Sequence, residues 1–405
     1  MSEAAQQPRS VSSSEPELAN PVYLYDAVRT PRGKARPDGG LAGLTPQELV
    51  RQQAAALAAR CGNAARSPEA LIVGCVTQAG AQGGHIALVS KLHAGLPDAT
   101  AATSLNNYCA SGLTAIGQAV ARVASGQIAS ALAGGVESMS RSPFLGDRAT
   151  FYTDGELPPR ARFVPPVLAA DRLANSEGLG RAELDAVALA SQQKAAMAEG
   201  DAALQYSRIA TGRLDGEECI RPQTTAEALA AASPAFGGLQ DQYAAALSGE
   251  RFEPLHSVAH APPICDGAGL ALVGSEGLGP APRARILAFA ENGGDPAASL
   301  TAGFAAMDTA LARSGLAFAD MDRIEFMEAF AVTIAKFLRD RPVDAARVNV
   351  GGGHLAKGHP MGASGAILTS TLLDALDASH GKYGLVVLTG AMGVGAAMVV
   401  ERLQG

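Results

Sequence analysis

The chain repeats itself at a nearly constant distance, and this repeat restricts its possible folds more than any other feature. Cys109-Ala110-Ser111-Gly112 returns as Gly362-Ala363-Ser364-Gly365, 253 residues on. Ala133-Gly134-Gly135 has its counterpart in Thr389-Gly390-Ala391 at an offset of 256. Leu71-Ile72-Val73-Gly74 has its counterpart in Ile324-Glu325-Phe326-Met327 at 253. Three elements kept in order and spacing imply two similar α/β halves packed face to face. Each half presents a strand-to-helix turn at the junction. Short apolar runs predict strands over 22–27, 71–74, 130–133, 270–273, 286–290, 324–327 and 385–388. With 405 residues, 47% of them hydrophobic, the chain can bury a large core and form more than one domain. It has 46 glycines, no Trp and only 4% aromatic residues, so small and branched side chains must pack that core. Such a core suits helices lying close on sheets.

Between the halves the texture changes. Pro158-Pro159, Pro165-Pro166 and Pro262-Pro263 surround one predicted helix, 181–199, entered through the breaker-rich Ser176-Glu177-Gly178-Leu179-Gly180. The expected division is a tail over 1–20, a first half over 21–140 plus 265–284, an inserted segment over 141–264, and a second half over 285–405. The tail is polar and carries Glu3, Glu15 and Glu17, unlike a signal or transit peptide. The apolar runs are too short to span a bilayer, which predicts a soluble, cytoplasmic protein with no membrane partner. A net charge of −7 argues against a nucleic-acid binder, whose footprint is a basic face.

Chemistry concentrates at two of the repeated turns. Cys109 precedes an Ala-rich stretch that runs to about Ala124 with helical spacing. A thiol at a helix start meets unpaired N–H groups and the positive end of the helix dipole, which favours thiolate. His359, held between Gly358 and Pro360, is a distant imidazole able to act as a base near neutrality. A placed Cys with a distant His is the pattern of covalent acyl transfer. Cys61, Cys75, Cys219 and Cys265 are scattered with no C-x-x-C pair, which predicts neither zinc nor disulfides. The glycine clusters at 351–353 and 390–395 lack the spacing of a nucleotide loop.

The motifs resemble those of the thiolase family, in family order from about Val22 to Arg402. They are Asp26-Ala27-Val28-Arg29-Thr30-Pro31, the Asn106–Gly112 nucleophile segment, Ala133-Gly134-Gly135-Val136-Glu137-Ser138, and Ser191-Gln192-Gln193-Lys194. Asp266-Gly267-Ala268, Glu328-Ala329-Phe330-Ala331 and Gly358-His359-Pro360 complete the series. The resemblance implies a five-layer αβαβα sandwich whose inserted loop domain covers the active site and holds CoA. It implies acyl-CoA and CoA as substrates, no bound metal or permanent cofactor, and a homodimer or homotetramer.

It further implies Cys109 as nucleophile, His359 as base and oxyanion donor, and the backbone of Cys109 and Ala391 as a second oxyanion site. Met327, Phe330, Pro262, His260 and His354 fall at or near substrate-contacting positions. Two departures stand out. Met327 replaces the Asn whose amide orients a water, and a thioether cannot donate a hydrogen bond. Thr389 stands where the family has a second, acid/base Cys, and an alcohol does not titrate near neutrality. Thr389 is then either a strand residue or a doubtful catalyst, with His354 and His260 as replacement acid/base candidates. Three functions stay open: a thiolase performing cleavage or condensation, a thioesterase or acyltransferase without carbon–carbon chemistry, and a non-catalytic acyl-CoA-binding partner.

Overall fold

The computed structural model describes residues 18–403; most of the expected tail therefore lies outside the described residues. The chain opens with β1 (Val22–Arg29), β2 (Gly33–Lys34), α1 (Pro46–Cys61), α2 (Asn63–Arg66) and β3 (Ala70–Gly74). Then come α3 (Ile86–His93), β4 (Ala101–Leu105), α4 (Ser111–Ala124) and β5 (Ser130–Ser138). Four helices, α5 (Pro166–Glu177), α6 (Arg181–Ala198), α7 (Ala226–Ala230) and α8 (Leu239–Gln242), precede β6 (Cys265–Gly274). The remainder is β7 (Ala284–Gly293), α9 (Ala302–Ser314), β8 (Arg323–Phe326), α10 (Ala331–Asp340) and α11 (His354–Lys357). It ends with α12 (Ser364–Ser379), β9 (Tyr383–Gly390) and β10 (Val394–Arg402).

Strand pairing repeats as the sequence does. β1 runs antiparallel to β6, β6 antiparallel to β5, and β5 parallel to β3, which is parallel to β4. β7 runs antiparallel to β10, β10 antiparallel to β9, and β9 parallel to β8. Val348 bridges to Ile324 in parallel, in the place that β4 takes in the first half. β1 and β7 join the halves, with Val22 opposite Ile286 and Leu24 opposite Ala284.

Three hydrophobic cores account for the layers. Ile72, Leu113, Ile116, Leu368, Leu372, Val386 and Met398 form the central one, around α4 and α12. Leu49, Leu57, Leu71, Val73 and Leu270 form one outer core under α1. Phe304, Ile324, Phe337, Leu385 and Val387 form the other, under α9 and α10. Successive residues of β3 and β9 alternate between cores, so both strand faces are buried and the strands read as unbroken apolar runs. Each fully buried branched side chain contributes about 1.5–3 kcal/mol of transfer free energy. α1 starts at Thr45, whose hydroxyl accepts the Glu48 N–H, followed by Pro46 at the first helical position. α6 begins where the Glu183 carboxylate accepts the Gly180 N–H.

Sequence patterning missed β2, β4 and β10, and ended β5 five residues early. β4 is an edge strand with two exposed positions and none buried, so it lacks the apolar signal that buried strands carry. β10 opens Val394-Gly395-Ala396-Ala397, mostly small residues that give a weak strand signal.

Candidate active site

The loop before α4 is tied down residue by residue. Tyr108 takes a left-handed φ of 45°, and the Asn106 carboxamide oxygen accepts its N–H at 2.9 Å. The Ser111 hydroxyl donates to Tyr108 O at 2.6 Å and accepts the Asn107 N–H at 2.8 Å. Such strain persists where the surroundings over-determine it. It turns Cys109, half-buried, into the wall of a cavity of about 890 Å³.

His359 enters the same wall from the other half. Gly358 before it has φ 98°, and a β-carbon there would sit 2.8 Å from Cys265 Sγ, so only glycine fits this turn. The His359 N–H donates to Pro263 O at 2.8 Å, and its Nδ1 lies 2.7 Å from Ser364 Oγ. Nε2 is buried and, among the described residues, has no hydrogen-bond partner. Arg32, paired with Glu217 at 3.0 and 3.1 Å, reaches Gly358 O at 3.4 Å. The buried Glu137 carboxylate accepts the N–H groups of Val76, Thr77 and Gly362, clamping the turn after His359 to the first half.

The N–H groups of Ala391 and of Cys109 itself both point at Cys109 Sγ. They lower the thiol's pKa, but burial outweighs them and pushes it up to about 12. This reverses the thiolate expected from a helix start. The physical reason is position: α4 begins at Ser111, two residues on, and the sulfur lies at the cavity wall, where protein displaces much of the water around it. Burial, aided by the Arg32 cation, lowers His359 to about 3. Both shifts favour a neutral resting thiol and a neutral resting imidazole.

Met327, Phe330, Pro262 and Ala391 line the cavity with Cys109 and His359. Thr389, His260 and His354 are absent from its lining. Thr389 is fully buried in β9, its hydroxyl without a partner among the described residues. His260 is committed at both ring nitrogens: Nδ1 accepts the Ser257 N–H at 3.0 Å and Nε2 lies 2.7 Å from Asp185. His354, also fully buried, packs edge-on to the His359 ring with centroids 5.1 Å apart. Glu328 is a structural acid, accepting from Ser191 Oγ, Asn349 Nδ2 and Leu355 N. Ser364, Glu137 and the Arg32–Glu217 pair were not singled out from the sequence. Glu137 was within sight, since a carboxylate following Gly-Gly on a buried strand needs N–H donors.

A cavity-lining thiol, an imidazole with one free nitrogen and converging N–H groups define a site for acyl transfer through sulfur. Residues 22–242 match the thiolase N-terminal domain and residues 280–402 the thiolase C-terminal domain. A β-ketoadipyl-CoA thiolase of Pseudomonas putida is 36% identical, the match covering 94% of this chain and 99% of that protein. A 3-ketoacyl-CoA thiolase of Escherichia coli (strain K12) is 32% identical over 94% of this chain and 99% of its own length. The structure of human mitochondrial 3-ketoacyl-CoA thiolase superposes with a TM-score of 0.84 at 29% identity, covering 96% of this chain and all of that one. The chain belongs to the thiolase family. It is an acyl-CoA acyltransferase with the five-layer fold, working on CoA thioesters without a permanently bound cofactor.

Proposed function

We propose that this chain cleaves a 3-oxoacyl-CoA with CoA, passing the acyl group through a thioester on Cys109. Cys109 attacks the 3-oxo carbon, His359 takes the thiol proton, and the N–H groups of Cys109 and Ala391 receive the developing oxyanion. One observation carries this reading: those two N–H groups converge on a sulfur that shares its cavity wall with the free nitrogen of His359. The names of two relatives, a β-ketoadipyl-CoA thiolase and a 3-ketoacyl-CoA thiolase, support a 3-oxoacyl-CoA as the substrate. Lys34, Arg36 and Arg221 lie on the cavity wall, cations suited to the phosphates of CoA. Met139, Phe144, Leu145, Leu300 and Met361 offer apolar contact to an acyl chain or pantetheine. Residues 141–264 supply several of these walls and act as the covering loop domain between the two halves.

Incubating the protein with acetoacetyl-CoA, with and without CoA, tests the reading by mass spectrometry. The expected result is an acetyl adduct on the peptide carrying Cys109, discharged to acetyl-CoA when CoA is added. Acetate in place of acetyl-CoA would favour a thioesterase, the reading that Thr389 and Met327 suggested. No adduct on Cys109 would sink the proposal.

We further propose a homodimer built on the edge strand β4 and the neighbouring helix α3. Leu88, Val89 and Leu92 on α3 are 39%, 43% and 62% exposed, apolar surface beside unpaired strand groups. Light scattering gives the mass directly, and a monomer at micromolar concentration would refute the dimer. Among the described residues no helix is long and apolar enough to cross a membrane, and we propose the cytoplasm as the compartment.

A further inference from the structure

Cleavage and re-formation of a carbon–carbon bond need a proton at C2 of the acetyl unit as well as one at sulfur. The chain has Thr389, not a thiol, where the family resemblance places the group for the C2 proton. The structure narrows the replacements. Thr389 is sealed in β9, where a β-carbon at Gly303 would lie 2.9 Å from its own β-carbon, and it does not border the cavity. His260 has both nitrogens engaged; His354, with its ring centroid 5.1 Å from that of His359 and both nitrogens without a partner among the described residues, does not border the cavity. The other titratable side chains on the wall are Lys34, Arg36, Cys219, Arg221 and Tyr243. Lys34, Arg36 and Arg221 are hydrogen-bond donors suited to phosphates, and Tyr243 is left to the test below. Cys219 sits with the Arg32–Glu217 pair and Lys34, and burial raises its thiol to about 11.

On the function proposed above, we propose that His359 alone moves the proton in both half-reactions, replacing the two-base arrangement with one imidazole. In the first half-reaction the Cys109 S–H proton passes to Nε2 as the sulfur bonds to C3. The C2–C3 bond breaks and its electron pair is left on the acetyl-CoA enolate. The Nε2 proton then goes to C2, giving acetyl-CoA and restoring neutral His359. In the second, the CoA S–H proton passes to Nε2 as the CoA sulfur bonds to the acyl carbon. The bond to Cys109 breaks, and Nε2 returns the proton to Sγ. No electrons are gained or lost, and each half-reaction ends with the thiol and imidazole it began with.

Two features suit one imidazole to this work. Nδ1 is held by Ser364 Oγ at 2.7 Å, so only Nε2 is free to exchange protons with the cavity. The Nδ1–H tautomer, donating to Ser364 Oγ, leaves Nε2 its lone pair. Burial, with the Arg32 cation near and no carboxylate partner among the described residues, also makes the transient imidazolium a strong acid, ready to protonate a carbanion.

The test pairs two rates in one protein: acylation of Cys109 by acetoacetyl-CoA, and deuterium exchange into the methyl of acetyl-CoA in D2O. His359→Asn places a polar amide at the cavity wall but cannot carry a proton, and His359→Gln serves as a second variant. One base predicts that both rates fall together, by about 10²-fold or more. It also predicts that Thr389→Val leaves both within about threefold, as a near-isosteric change at an unpartnered hydroxyl. Exchange that survives in the His359 variants while acylation is lost overturns the inference in favour of a second base. Loss of exchange in Thr389→Val, Cys219→Ser, Tyr243→Phe or His354→Gln identifies that base and overturns it equally. So does a wild-type enzyme that acylates Cys109 but neither exchanges nor cleaves. A wild type that never acylates Cys109 refutes instead the function on which the inference rests.

Discussion

Cys109→Ser is expected to lower thiolysis of acetoacetyl-CoA by about 10³-fold or more, with little change in thermal stability. The two side chains differ by one atom, so the cavity and the fold around it stay as they are. What changes is the chemistry. An alcohol is a far weaker acid than a thiol, and an oxygen ester does not exchange with CoA at near-equal energy as a thioester does. The neutral resting thiol adds a second expectation for the wild type. With Cys109 raised to about 12 and His359 lowered to about 3, neither group changes charge between roughly pH 5 and 9. Alkylation of Cys109 by iodoacetamide should therefore be slow at pH 7 and rise with pH beyond 9. A fast, pH-independent reaction down to pH 5 would reveal a thiolate–imidazolium pair and contradict the neutral site. Full thiolysis by the serine variant would remove Cys109 from the mechanism.

The repeat and its consequence were readable because buried parallel strands and helix-start glycines leave strong local marks. β3, β5, β8 and β9 show as apolar runs since both of their faces are covered. β4 left no such mark, being small, polar and half in solvent. At the site, the residues whose backbone turn matters were legible: Cys109, His359 and Ala391 all reach the cavity. Those whose role depends on a distant partner were not. His260 looked like a free imidazole until Asp185, 75 residues away, was found on its Nε2. His354 looked available for catalysis, but it packs fully buried against the His359 ring and does not border the cavity. The sign of the Cys109 shift failed for the same reason. A helix start can be read locally, whereas desolvation is the sum of what the whole fold places around one atom.

Gly365→Ala is expected to destabilise the protein by about 3–5 kcal/mol. Gly112 and Gly365 are counterparts in the 253-residue repeat, and they meet where α4 crosses α12 in the central layer. A β-carbon at Gly365 would lie 2.2 Å from Leu113 N and 2.8 Å from Leu113 Cα. A β-carbon at Gly112 would lie 2.7 Å from Gly362 O and 3.1 Å from Ala366 N. These are backbone atoms of regular helices and of the His359 turn, so no side-chain rotation relieves the clash. The helices must part instead, opening the central core and drawing Cys109 away from His359. The expected result is a Tm lower by about 5 °C or more, with thiolysis lost more completely than folding, since a displacement of about 1 Å at reacting groups costs about 10²-fold. Gly43→Ala is the matched control, because a β-carbon there meets no atom within 4 Å and should leave both measurements unchanged. A Gly365→Ala protein with wild-type Tm and activity would mean that the two helices do not cross this closely. The close crossing is what lets the two repeated turns share one cavity: the same missing β-carbons that bring α4 and α12 together bring the thiol of one half to the imidazole of the other.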